Sequence, residues 1–107
     1  MDPVNRYQVK IHGNVPLNGE RATIHLLGAG HLRSAVGVLH FYDPGATLPD
    51  DERTELRLIH MHMPIAAFAG VLALLQHDKP VMIGYVDGRG LLQTGEWEQV
   101  GETEHLA

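Results

Sequence analysis

The sequence has no cysteine. That absence excludes a disulfide frame, a thiolate nucleophile and a cysteine zinc site. Cations are few: eight Lys and Arg stand against thirteen Asp and Glu, for a net charge of −5. The basic excess of a duplex nucleic-acid binder is therefore missing. Aromatic residues make up only 6% of the chain, too few for an extended base-stacking platform. Ser34 is the single serine, and no acid is placed to complete a triad around it. The longest apolar run, Ile65 to Leu75, is about half of the roughly 20 residues a membrane span needs. Met1 to Arg6 has no apolar signal core. The expectation is a soluble, cytoplasmic protein with no membrane partner.

What is present is a globular composition, 44% hydrophobic and 20% charged over 107 residues. That size and balance fit one domain spanning 1–107, with 101–107 expected as a frayed tail. Histidine is abundant: His12, His25, His31, His40, His60, His62, His77 and His105. Adding eight imidazolium charges to −5 gives +3, so the sign of the chain depends on pH through the imidazole range.

Alternation of apolar and polar residues predicts strands at Tyr7–His12, Arg21–Leu27, Ser34–Tyr42 and Arg53–Met63. Pro64 opens a helix that runs to about His77, and Asp78-Lys79-Pro80 ends it. Two further strands, Pro80–Asp87 and Leu91–Val100, flank a tight turn at Asp87 to Gly90. The order ββββαββ, with short connections, predicts an α+β domain: an antiparallel sheet of about six strands with one helix on a face.

The helix carries no charge from Ile65 to Leu75. Its bulky stripe, Ile65, Phe68, Ala69, Leu72 and Leu75, is expected on the sheet. Ala66, Ala67, Gly70, Ala73 and Leu74 form a second, small-residue face. A helix apolar all round is buried all round, so this face is expected to meet another copy of the chain, a dimer first.

His60 and His62 lie two apart on a predicted strand, so they share a face at a Cα spacing of about 6.5–7 Å. Treating Pro44–Glu52 as a hairpin loop puts Val36 opposite His60, Ser34 opposite His62 and His40 opposite Leu56. Treating Gly28–Arg33 likewise puts His25 opposite Val36. One sheet face then carries Thr23, Val38, Leu58, His25, His40, His60 and His62. The other carries Ile24, Leu26, Leu39, Phe41, Arg57, Ile59, Met61 and Met63. In that register His25 is roughly 9.5 Å, and His40 roughly 13 Å, from the His60 row. A catalytic zinc site needs about three protein ligands, so the face is expected to be ligand-binding or pH-sensitive rather than a metal centre. No cofactor is expected. Zinc or another divalent metal held by His60 and His62 is the alternative.

His60-Met61-His62 resembles the first metal motif of cupins. That motif continues with a glutamate, whereas Met63 to Phe68 here hold no carboxylate, and the likeness is not carried further. The strand–helix order resembles that of a Whirly-type repeat, which implies single-stranded nucleic-acid binding from topology alone. Gly28-Ala29-Gly30-His31 precedes a strand rather than a helix, unlike a dinucleotide fingerprint. With no enzyme signature, the expected role is that of a small homo-oligomeric binding or structural domain. The alternative is a metal- or small-molecule-binding protein, including an enzyme, that uses the histidine face.

Overall fold

The computed structural model describes residues 1–28, 34–95 and 100. The chain runs through β1 (Asp2–Ile11), β2 (Glu20–Gly28), β3 (Ala35–Tyr42), β4 (Glu52–Arg53) and β5 (Ile59–Pro64). A 3₁₀ turn (Ile65–Ala67) leads into α1 (Phe68–His77), followed by β6 (Val81–Val86) and β7 (Arg89–Thr94). The strands form one sheet in the order β4-β5-β3-β2-β1-β6-β7. This is the α+β architecture expected from the pattern, one sheet with one helix on a face. The expected frayed tail and the end of the predicted last strand, 96–99, lie outside the described residues.

Two details differ. The sheet has seven strands rather than six, and β3 and β5 pair in parallel. Both differences trace to one turn. Arg53–Met63 reads as a single strand, but the chain reverses direction inside it. Thr54 N–H donates to the Leu58 carbonyl, Arg57 N–H to the Thr54 carbonyl, and Leu58 N–H to Thr54 Oγ1. Arg57 sits at φ 66 to close the turn. The short β4 therefore pairs with β5, Arg53 opposite Ile59, and β5 turns back alongside β3 in the same sense. No glycine or proline marks this turn. Arg57, the one charge on the predicted apolar face, stands outside the sheet.

The inner face of the sheet holds the core. Ala22, Ile24, Leu26, Leu39, Phe41, Ile59, Met61 and Ile83 form one buried cluster. Helix α1 lies over it with Phe68, Val71 and Leu75, and the Phe68 ring meets Phe41 edge to face at 5.1 Å. Ala69, expected on the sheet side, is exposed, and Val71 takes its place. The first turn is 3₁₀, with three residues per turn rather than 3.6, so the stripe is rotated relative to a continuous α-helix. The same rotation brings Ala67 against the core.

The sheet curls until β7 comes round to β5. The β6–β7 turn has Asp87 at φ 54 and Gly88 at φ 78, the pair of positive values that a two-residue hairpin of matching twist requires. Gly90 lies against Met61 and Ile59, so a side chain there would overlap the Met61 Cγ. Asp51 bridges the gap. One carboxylate oxygen accepts from His62 N–H at 2.7 Å and the other from Gly90 N–H at 2.8 Å. Tyr85 adds a hydrogen bond from its hydroxyl to the Asp51 carbonyl at 3.3 Å.

Candidate functional site

The outer face of the same strands carries the histidines. Directly paired residues share a face, and Ile24, Leu39, Phe41 and Ile59 point inward, so their chain neighbours point outward. The register is Thr23 opposite His40 and His25 opposite Val38 on one side of β3. On the other side Val38 lies opposite His60 and His40 opposite His62. The expected pairings of Val36 with His60, Ser34 with His62 and His40 with Leu56 are replaced, because β5 runs parallel to β3. His40 moves from the far end of the face to its centre.

Three imidazoles meet there. His40 stacks on His62, with ring centroids 4.6 Å apart and planes 12° from parallel. His40 and His60 lie 5.2 Å apart at 21°. Two nitrogens join them: His40 Nε2 is 2.9 Å from His60 Nδ1. The other ring nitrogen of His40, Nδ1, is 2.6 Å from the Glu20 carboxylate. The Glu20 and His40 side chains are 18% and 17% exposed, so the pair is shielded but not sealed. His62 has a separate partner, the Tyr42 hydroxyl, 2.8 Å from its Nδ1. The result is a line of hydrogen bonds, Glu20–His40–His60, flanked by a second pair, Tyr42–His62.

Glu20 and Tyr42 do not stand out in the sequence. Strict alternation with Ala22, Ile24 and Leu26 would turn Glu20 inward. A β-bulge between Glu20 and Ala22 shifts the register, and Glu20 reaches outward instead. Gly19, at φ 82, and Asn18, whose side-chain oxygen accepts from Glu20 N–H, shape the entry to the strand. Tyr42 is 3% exposed, and its phenol is legible only as a strand-end aromatic.

His25 lies on the same face but takes no part in the line. Burial pushes its pKa below 6.5, and the nearby Lys10 charge adds to that. Burial also lowers His62, with the His40 charge reinforcing the shift and Asp51 opposing it. Burial raises the Tyr42 phenol. Both rings therefore favour the neutral form more than free histidine does, and Tyr42 keeps its proton.

Both nitrogens of His40 are engaged within the chain. Among the described residues, no three His, Asp or Glu side chains are grouped so as to hold a metal ion. Of the cations near the face, Lys10 lies opposite Thr23 and Arg6 opposite Leu27 on β1. Arg21 is committed to a bidentate pair with Asp43, at 3.0 and 2.8 Å, and to the carbonyls of His12 and Gly13.

The second set of predicted residues lies on α1 and its first turn. Ala66, Gly70 and Ala73 are exposed, Leu74 is half-buried, and Ala67 packs on its own core. No residue of α1 is fully buried. Among the described residues, no helix is long and apolar enough to cross a membrane. The chain matches no protein-family model, no curated protein and no solved structure.

Proposed function

We propose that this chain is a small binding domain whose ligand face is the outer sheet surface of His25, His40, His60 and His62. One observation carries the reading: Glu20 and three imidazoles from three strands are joined or stacked at hydrogen-bonding and ring-contact distance. A histidine used only for solubility needs no oriented partner. Here a carboxylate and a buried phenol each fix a ring, which is the arrangement that prepares polar groups for a ligand. His60 and His62 each keep Nε2 free of any hydrogen-bond partner among the described residues. A fragment collection titrated into the labelled protein tests the reading. Ligands are expected to move backbone signals of β3 and β5 around His40, His60 and His62, and the double variant H60A/H62A is expected to lose that response. Responses confined to other surfaces overturn it.

A second reading, assembly into a homo-oligomer, a dimer first, has support from α1. The helix and the 3₁₀ turn before it expose Ala66, Ala69, Gly70 and Ala73 with two half-buried leucines, Leu72 and Leu74. Small residues let a second backbone approach closely, and exposed apolar surface favours such contact. Light scattering is expected to give at least twice the chain mass, and Gly70→Arg is expected to return the monomer. A monomeric wild type at high concentration removes this reading and leaves the first intact.

A further inference from the structure

We propose that His60 and His62 form an acceptor–donor pair that binds a primary carboxamide, taking its N–H at His60 Nε2 and its C=O at His62 Nε2. The proposal rests on the ligand-face reading and adds to it the chemical class of the ligand.

The argument is one of proton positions. A carboxylate only accepts, so the hydrogen between Glu20 and His40 belongs to His40 Nδ1. Above the range in which imidazoles titrate, a neutral ring carries one hydrogen. His40 Nε2 is then a bare acceptor. The 2.9 Å contact to His60 Nδ1 must therefore be filled by a hydrogen on His60 Nδ1. That leaves His60 Nε2 bare, with its lone pair directed away from the chain of bonds.

The His62 assignment runs the opposite way. The Tyr42 hydroxyl has one hydrogen-bond partner among the described residues, His62 Nδ1 at 2.8 Å. Tyr42 is 3% exposed, and a buried hydroxyl hydrogen without an acceptor is costly. Tyr42 therefore donates, His62 Nδ1 accepts, and the hydrogen of His62 sits on Nε2. The protein thus gives two neighbouring histidines opposite tautomers: one offers a lone pair, the other an N–H.

Residues two apart on a strand are about 6.5–7 Å apart at Cα and share a face. A complementary ligand must present a donor and an acceptor on one edge. A primary carboxamide does so, with a syn N–H beside its carbonyl oxygen. A trans peptide group points its N–H and C=O to opposite edges. A carboxylate offers two acceptors, and one of them would face the bare Nε2 of His60.

The 107-residue chain, labelled with ¹⁵N and held at pH 8, tests this in two arms. Long-range ¹H–¹⁵N correlation is expected to show His60 protonated at Nδ1 and His62 at Nε2. Glu20→Ala is expected to relax the His60 preference and leave that of His62 unchanged. Titration with benzamide is expected to move the ring signals of both residues. N,N-dimethylbenzamide, which lacks the N–H, and benzoate are expected to bind roughly tenfold more weakly. His60→Phe is expected to abolish the difference between them. A proton on His60 Nε2, or benzoate binding as well as benzamide, overturns the proposal. Fragments that perturb this face without the carboxamide preference overturn the ligand class alone. The absence of any response at the face overturns the class and the face together.

Discussion

His40 and Phe41 are neighbours in the chain and belong to opposite worlds. Phe41 is fully buried on the inner face, in contact with Phe68. His40 is outside, held by Glu20 and His60. The inner face is cohesive because apolar area leaves water, an effect without direction. The outer face is ordered by a few directed contacts between polar groups. Loss of a side chain inside is therefore paid in stability, and loss of one outside is paid in geometry. On β3 the two kinds of contact stand at the adjacent positions His40 and Phe41.

Four measurements would break or sharpen that contrast. The largest effect is expected from Phe41→Ala, which opens a cavity beneath α1 and is expected to cost about 3–5 kcal/mol in urea unfolding. Asp51→Ala follows, at about 2–3 kcal/mol, because two backbone donors lose a charged acceptor. Faster amide hydrogen exchange at His62 and Gly90 would locate that loss at the seam. His40→Ala is expected to cost only about 1 kcal/mol, yet to change the ring signals of both His60 and His62. A loss as large as that of Phe41→Ala would erase the distinction between the faces. Arg57→Gly is the smallest change, and it is expected to stabilise by about 0.5 kcal/mol, since a left-handed backbone suits glycine.

A pH series addresses the outer face as a whole. Burial lowers the folded-state pKa of both His25 and His62 below 6.5. On acidification the unfolded rings take up protons first, so folding loses free energy as pH falls. Their contribution is complete above about pH 6.5. It declines from there towards the lowered folded-state values and then levels off. Urea midpoints measured from pH 8 to pH 5 are expected to follow this course. The double variant H25Q/H62Q is expected to flatten it, and an unchanged slope in that variant would remove these two rings as the source.

The two faces were not equally legible in the sequence. Period-two alternation places Ile24, Leu26, Leu39, Phe41, Ile59 and Met61 on one side, and those residues form the core. It also puts His25, His40, His60 and His62 on the other side. What alternation does not reveal is which residues of neighbouring strands stand opposite one another. That register depends on the turn from Thr54 to Leu58, where a threonine hydroxyl and a left-handed arginine replace the usual glycine or proline. With β5 antiparallel to β3, His40 is far from His62. With β5 parallel, the two stack. Glu20 is hidden from alternation for a related reason, since a bulge of one residue moves it to the face that alternation denies it. The helix was readable as an element, but Pro64 ends β5 in an extended conformation instead of opening the helix, and the 3₁₀ start that rotates its stripe was not readable.

The bridge made by Asp51 also bears on how copies of this chain behave at high concentration. The outermost strands of a sheet present unpaired backbone groups on which another molecule can extend the sheet, a route to aggregation. Here β4 covers the start of β5, and beyond it the His62 N–H is already occupied by a carboxylate. The same side chain occupies the Gly90 N–H on β7. A single acid thus occupies a backbone donor on β5, beyond the reach of the short outer strand β4, and another on the outer strand β7, and its removal would open both to strand addition.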